Sequence, residues 1–205
     1  MRSELSSEQI EQYQQNGFLV IEDFLSEKEL ETWREAVTDA VEKRHGNKLP
    51  NRASVYGEGD DKEKEYYDQV FEQLINLWKD NPKIKDLILD KRIGKMAAQL
   101  SGADGIRPWH DQALIKKPWA NPTTLHLDTP YWSFSDKRAL SIWIALDDAT
   151  LENGCLFFLP GTHKKTNLKV AGIGKNNGDI FKQYPELKQR GLIPYFISPG
   201  SSKKR

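Results

Sequence analysis

The pattern of apolar residues changes character once, near Gly105, and that change limits what the chain can fold into. Before it, apolar side chains recur at helical spacing. Leu30, Trp33, Val37, Ala40 and Val41 fall on one helical face. Ser6-Ser7-Glu8-Gln9 and Ser26-Glu27-Lys28-Glu29 each read as a capping box, in which a serine caps and the Gln or Glu three residues on reaches back. Asn16-Gly17 should stop the first helix, and His45-Gly46-Asn47 followed by Pro50 should stop the second. Phe18 to Ile21 reads as a short buried strand between them. Residues 47–65, including the charged stretch 58–65, read as a solvated surface loop. A third amphipathic helix is expected with Val70, Leu74, Leu77 and Trp78 on one face. Asn81-Pro82 should end it and open a fourth, with Ile84, Leu87 and Ile88 inward. A fifth carries Ile93, Met96, Ala97 and Leu100 and stops at Ser101-Gly102.

After Gly105 the helical period gives way to Gly, Pro, aromatics and short alternating runs. Ile106 to Trp109 and Gln112 to Lys116 read as strands. Arg138 to Leu146 alternates most clearly. Leu140, Ile142, Ile144 and Leu146 share one face, and Ser141, Trp143 and Ala145 share the other. Glu152-Asn153-Gly154 reads as a hairpin-type turn. Cys155 to Leu159 and Leu192 to Ile197 complete the strand candidates.

Composition removes several functional classes. Thirty basic and thirty acidic side chains leave no net charge, hence no global field for nucleic acid or an anionic membrane. A single cysteine, Cys155, excludes an intramolecular disulfide framework and any multi-cysteine metal site, and reads as a small core residue. No apolar run approaches the ~20 residues that span a bilayer. The first residues lack the apolar core of a secretory signal. The expectation is a single cytoplasmic domain of 205 residues without membrane insertion.

His126-Leu127-Asp128 carries the chemistry. In extended backbone, residues two apart point to the same side, so an imidazole and a carboxylate can reach one metal ion. With a second histidine they would make the 2-His-1-carboxylate triad of non-haem Fe(II) oxygenases. Spacing alone favours the plainer alternative, a histidine paired with an acid at a strand end.

The surrounding residues form an ordered set. Trp109-His110-Asp111-Gln112-Ala113-Leu114-Ile115-Lys116-Lys117-Pro118 leads into Thr124-Leu125-His126-Leu127-Asp128-Thr129-Pro130-Tyr131-Trp132. Leu140-Ser141-Ile142-Trp143-Ile144-Ala145-Leu146-Asp147-Asp148-Ala149-Thr150 follows, then Glu152-Asn153-Gly154-Cys155-Leu156 and Pro160-Gly161-Thr162-His163-Lys164. Together with Asn16-Gly17-Phe18-Leu19-Val20-Ile21-Glu22-Asp23-Phe24-Leu25, this set resembles the phytanoyl-CoA dioxygenase family across nearly the whole chain.

That resemblance implies a mainly β fold with helices: a double-stranded β-helix, or cupin-like jelly roll, with a helical region over 1–104 packed on a barrel over 105–205. It implies His126 and Asp128 as iron ligands, with Fe(II) and 2-oxoglutarate as cofactors and ascorbate as reductant. Lys116, Trp143 and Gln112 match positions near the 2-oxoglutarate pocket. Lys116 reads equally as a solvated strand-edge lysine, Trp143 as a barrel-filling core residue, and Gln112 as a partner for a buried backbone group. Tyr131, Trp132 and Phe134 are candidates to wall a substrate cavity, although such aromatics are more often core. His110 and His163 match family positions that are not ligands. The implied activity is hydroxylation of a small organic or acyl substrate by O₂, with 2-oxoglutarate decarboxylated to succinate and CO₂.

The family pattern also calls for a distal histidine and an arginine beyond Pro199-Gly200, where this sequence reads Ser201-Ser202-Lys203-Lys204-Arg205. None of His45, His110, His126 and His163 takes that distal place. The matching expectation is a jelly roll short of its last strands. The alternative function is therefore a truncated, non-catalytic family member with an incomplete iron site.

Overall fold

The computed structural model describes residues 1–46, 66, 69–164, 176, 178–189, 191 and 193–195. Helix α1 (Ser7–Asn16) begins at a complete capping box. The Ser6 hydroxyl accepts from Gln9 N and the Gln9 side chain accepts from Ser6 N. It ends at Gly17, whose φ of 84° is the left-handed conformation that a C-cap glycine supplies. Helix α2 (Glu27–Gly46) opens on the second box, Ser26 with Glu29. Its inward face buries Leu30, Trp33, Ala36 and Ala40. Fully burying a large apolar side chain stabilises by roughly 1.5–3 kcal/mol, so this stripe fixes how α2 lies on its neighbours.

Over residues 69–79 the third expected helix does not form. Glu72–Ile75 is a strand, β1, and Leu77–Lys79 a single 3-10 turn. The spacing of Val70, Leu74, Leu77 and Trp78 is compatible with a helix, but a tertiary partner decides otherwise. Asn76 breaks the run at φ 59°, and both Asp111 carboxylate oxygens cap the turn, accepting from Leu77 N and Trp78 N at 3.1 Å each. Helix α3 (Pro82–Ile88) starts at Asn81, whose side chain accepts from Lys83 N and Ile84 N. Helix α4 (Lys91–Ser101) runs from an Asp90 cap to the left-handed Gly102. Both follow the sequence expectation.

Strand β2 (Gln112–Ile115) pairs antiparallel with β1, Leu74 opposite Ala113 and Ile75 opposite Gln112. Beneath this sheet, Ala36 and Ala40 of α2 meet Leu74, Leu77 and Ile84. Strand β3 (Leu156–Phe158) pairs antiparallel with β4 (Ile193–Tyr195), with the short helix α5 (Ile180–Gln183) between them in sequence. Cys155, just before β3, is buried, as expected.

Three further strand expectations are corrected. Phe18 to Ile21 is irregular and half-buried, held by Phe18 stacked on Phe158 at 4.4 Å. Ile106 to Trp109 is irregular and exposed. Arg138 to Leu146 joins no ladder, because alternation sets the side-chain faces but a strand also needs a hydrogen-bonding neighbour. The segment is held by side chains instead. Ile144 and Leu146 pack on the buried Leu25, Leu30 and Trp33, and Arg34 Nε donates to the Leu146 carbonyl at 2.7 Å. The turn at Glu152-Asn153-Gly154 is real, with the Thr150 carbonyl accepting from Gly154 N and Cys155 N. It leads into β3 without joining two paired strands. The described residues thus contain two two-stranded sheets rather than a continuous barrel wall. The loop expected over 47–65, and the chain after Tyr195, lie outside the described residues.

Candidate metal centre

Leu125 and Leu127 pack against the buried Ile180, Tyr184 and Leu187. In extended chain this commits one face to the core and presents His126 and Asp128 together on the other. His126 Nε2 lies 3.2 Å from Asp128 Oδ1, and the two side chains are 32% and 52% exposed, so the pair is open to solvent. The His126 Nδ1 is 2.7 Å from the carbonyl of the buried Thr124. A carbonyl only accepts, so the proton sits on Nδ1 and, in the neutral ring, the Nε2 lone pair faces the carboxylate side. Asp128 Oδ2 accepts from the Ser141 hydroxyl at 3.3 Å.

The electrostatics favour a charged pair when no ion is bound. Burial pushes the His126 imidazole down, but the Asp128 carboxylate and the Thr124 carbonyl outweigh it and raise its pKa. The hydrogen bond from His126 holds the Asp128 carboxyl below its ordinary value, against the opposing effect of burial.

This geometry fits a metal ion. Two donors ~2.1 Å from one ion at a right angle are about 3.0 Å apart, close to the observed Nε2–Oδ1 separation. Neutral imidazole nitrogen and carboxylate oxygen suit divalent iron. Among the described residues, no group of three or more His, Cys, Asp and Glu forms a larger donor set. The other histidines are engaged elsewhere. His45 pairs with Glu72, His110 lies against Trp109 at a ring distance of 4.2 Å, and His163 contacts the Gln14 carbonyl at the end of α1.

The remaining expected site residues are placed as follows. Trp143 is exposed. Lys116 donates from Nζ to the carbonyls of Val70 at 3.0 Å and Asn121 at 2.7 Å, and burial lowers its pKa. Gln112 accepts from the Gln73 side chain at 2.6 Å across the β1–β2 sheet. Tyr131 is half-buried in the 3-10 turn Thr129–Tyr131 that directly follows Asp128. Trp132 stacks on Phe134 at 5.3 Å, and Phe134 meets Trp109 edge-on at 5.4 Å. The structure therefore brings His126 and Asp128 together, while Lys116 and Gln112 spend their polar atoms on backbone and on another glutamine. Sequence reasoning missed Thr124 and Ser141. A surface cleft lined by Glu31, Arg34, Glu35, Thr38, Asp39 and Lys83 shares no residue with the pair.

The chain as a whole resembles known proteins. The chain superposes on the α-ketoglutarate-dependent carbocyclase SnoK of nogalamycin biosynthesis with a TM-score of 0.70 at 25% identity, covering 95% of this chain and 71% of that one. It superposes on the epimerase SnoN, solved in complex with Fe3+, α-ketoglutarate and nogalamycin RO, with a TM-score of 0.60 at 18% identity, covering 93% and 70%. It is 25% identical over 210 residues to methylphosphonate hydroxylase of Gimesia maris, spanning 98% of this chain and 72% of that protein. It is 26% identical over 226 residues to phytanoyl-CoA dioxygenase of Arabidopsis thaliana, spanning 96% and 78%. The class these likenesses define is the 2-oxoglutarate-dependent non-haem iron oxygenases. Within it, the chain belongs to the phytanoyl-CoA dioxygenase family, whose model matches residues 13–202. Among the described residues, no helix is long and apolar enough to cross a membrane.

Proposed function

We propose that the chain is an Fe(II)- and 2-oxoglutarate-dependent dioxygenase that hydroxylates a small organic or acyl substrate, with His126 and Asp128 holding the iron. The observation that carries this reading is the 3.2 Å approach of His126 Nε2 to Asp128 Oδ1, with Thr124 occupying the ring's other nitrogen. The chemistry supplied by such iron with 2-oxoglutarate and O₂ is hydroxylation coupled to release of succinate and CO₂. The chain's own part is positional. Thr124 fixes the tautomer of His126, and the core contacts of Leu125 and Leu127 fix the face from which both donors project.

Trp143 belongs to the cosubstrate pocket, with Lys116 and Gln112 at its edge. Tyr131 and Trp132, just after Asp128, wall the substrate side. The fold is a cupin-like jelly roll carried by 105–205, ascorbate acts as reductant, and the compartment is cytoplasmic. The named relatives act on substrates as unlike as a methylphosphonate and a phytanoyl thioester, so the aromatic wall rather than the metal pair sets specificity here. The test is succinate formation from 2-oxoglutarate with Fe(II), ascorbate and O₂ across a panel of small acids and acyl thioesters. Turnover that disappears in Asp128→Ala supports the reading, and turnover that survives it contradicts the assignment.

A second reading is a non-catalytic chain with a two-donor site. It draws on the described residues, where no group of three or more His, Cys, Asp and Glu forms and the other three histidines are engaged elsewhere. It predicts weak Fe(II) binding without succinate.

A further inference from the structure

We propose that Ser141 is a positioning residue for the metal site: its hydroxyl holds one oxygen of Asp128 so that the other stays beside His126. This rests on the metal reading above and adds a residue that the motif does not contain. The Asp128 carboxylate divides its work, with Oδ1 3.2 Å from His126 Nε2 and Oδ2 3.3 Å from Ser141 Oγ. A half-exposed carboxylate otherwise turns freely about its last torsion, which is broad and two-fold. Unheld, it can present both oxygens to one ion, consuming a position that a further ligand needs, or swing into solvent. A carboxylate is acceptor-only, so the serine must donate. The contact is longer than the ~2.7–2.8 Å usual between hydroxyl and carboxylate, and such contacts tighten once the ligated geometry forms.

Ser141 comes from a separate segment whose place is set far from the metal pair. Ile144 and Leu146 pack on Leu25, Leu30 and Trp33, Ala145 is buried, and Arg34 of α2 donates to the Leu146 carbonyl. The serine is thus held by the helical region, while His126 and Asp128 are held by the Ile180–Tyr184–Leu187 cluster. Ser141 is itself exposed, so removing its hydroxyl opens no cavity.

The experiment measures anaerobic Fe(II) affinity of the full chain by competition with a chromophoric chelator, alongside the thermal midpoint. The proteins are wild type, Ser141→Ala, Ser141→Thr and His126→Ala. The expected result is about 10–100-fold weaker binding in Ser141→Ala at an unchanged midpoint, recovery in Ser141→Thr, and loss of the site in His126→Ala. Equal affinity in wild type and Ser141→Ala overturns the positioning role alone. An affinity loss that Ser141→Thr does not recover, with a fall in the midpoint, also overturns it, because the serine is then structural. A wild-type chain with no saturable Fe(II) binding, or with binding unchanged in His126→Ala, overturns the metal reading and the proposal with it.

Discussion

Gly17 lies hard against the His163 ring: a Cβ added to Gly17 would sit 2.3 Å from His163 Nδ1. The end of α1 is seated on the Pro160-Gly161-Thr162-His163 turn, where Gly161 N also donates to the Asn16 carbonyl at 2.8 Å. The histidine of that turn is a docking surface for the helix cap.

Gly17→Ala should therefore destabilise twice, once through the left-handed φ of 84° and once through the clash. The backbone part alone costs about 1–2 kcal/mol. A thermal midpoint lower by several degrees is expected, at roughly 2–4 °C per kcal/mol. Adding His163→Ala should recover the steric part in the double variant. Purely additive losses would show that the two residues do not share a contact.

The same seat is pH-sensitive. Burial, with Lys164 adding to it and the Gln14 carbonyl opposing, lowers the pKa of His163. A lowered basic group binds its proton more readily in the unfolded chain. Its contribution to stability is present above the unfolded value of about 6.5 and is lost as pH falls from there through the lowered folded value. Wild type should lose more stability between pH 7.5 and pH 5.5 than His163→Gln does. Parallel losses would contradict this.

Asp111 holds the 3-10 turn against β2 with both of its carboxylate oxygens. Asp111→Ala leaves two backbone donors without acceptors, a loss of about 1–3 kcal/mol. Asp111→Asn keeps one acceptor, so its midpoint should lie between Ala and wild type. An Ala variant as stable as wild type would show that water replaces the cap at no cost.

Trp119 is fully exposed at φ 65°, in a turn closed by Ala120 N to the Lys117 carbonyl. Lys116 clamps the same loop through the Asn121 carbonyl. Trp119→Gly relieves about 1–2 kcal/mol of left-handed strain and adds roughly 0.5–1 kcal/mol of unfolded-chain entropy. Stability should be unchanged or higher by up to ~1.5 kcal/mol. Lys116→Met should lower it by about 1 kcal/mol, because two carbonyls lose a charged donor. The denaturant midpoint should therefore fall in Lys116→Met and not in Trp119→Gly, and a fall in both would argue against a strained, clamped loop.

What could be read from the residues was local. Ser6 with Gln9, Ser26 with Glu29, Asn81, Asp90, Gly17 and Gly102 bound their helices because each cap satisfies neighbouring backbone groups. What could not be read was pairing. Leu74 fits a helical period as well as a strand, and only Ala113, thirty-nine positions on, decides between them. The alternation at Leu140 to Leu146 did not carry over into two faces, since Ile142 is exposed and Ala145 is buried, and no hydrogen-bonding partner takes the segment up among the described residues. The approach of His126 to Asp128 was legible because Leu125 and Leu127 bracket His126 on the opposite face. Ser141 was not, since a serine thirteen residues from Asp128 carries no pattern beyond sharing a face with Trp143.

His126 and Asp128 are proposed to chelate iron together with 2-oxoglutarate. Anaerobic titration of the full chain with Fe(II) in the presence of 2-oxoglutarate, followed by visible absorption, tests it most directly. The raised pKa of His126 means that a proton competes with the metal from higher pH than at an ordinary histidine, so chelation should strengthen as pH rises. The account predicts a saturable charge-transfer band in wild type at pH 7.5, weaker at pH 6 and absent in His126→Ala and Asp128→Ala. No band in wild type, or a band of equal strength in the two variants, would contradict it.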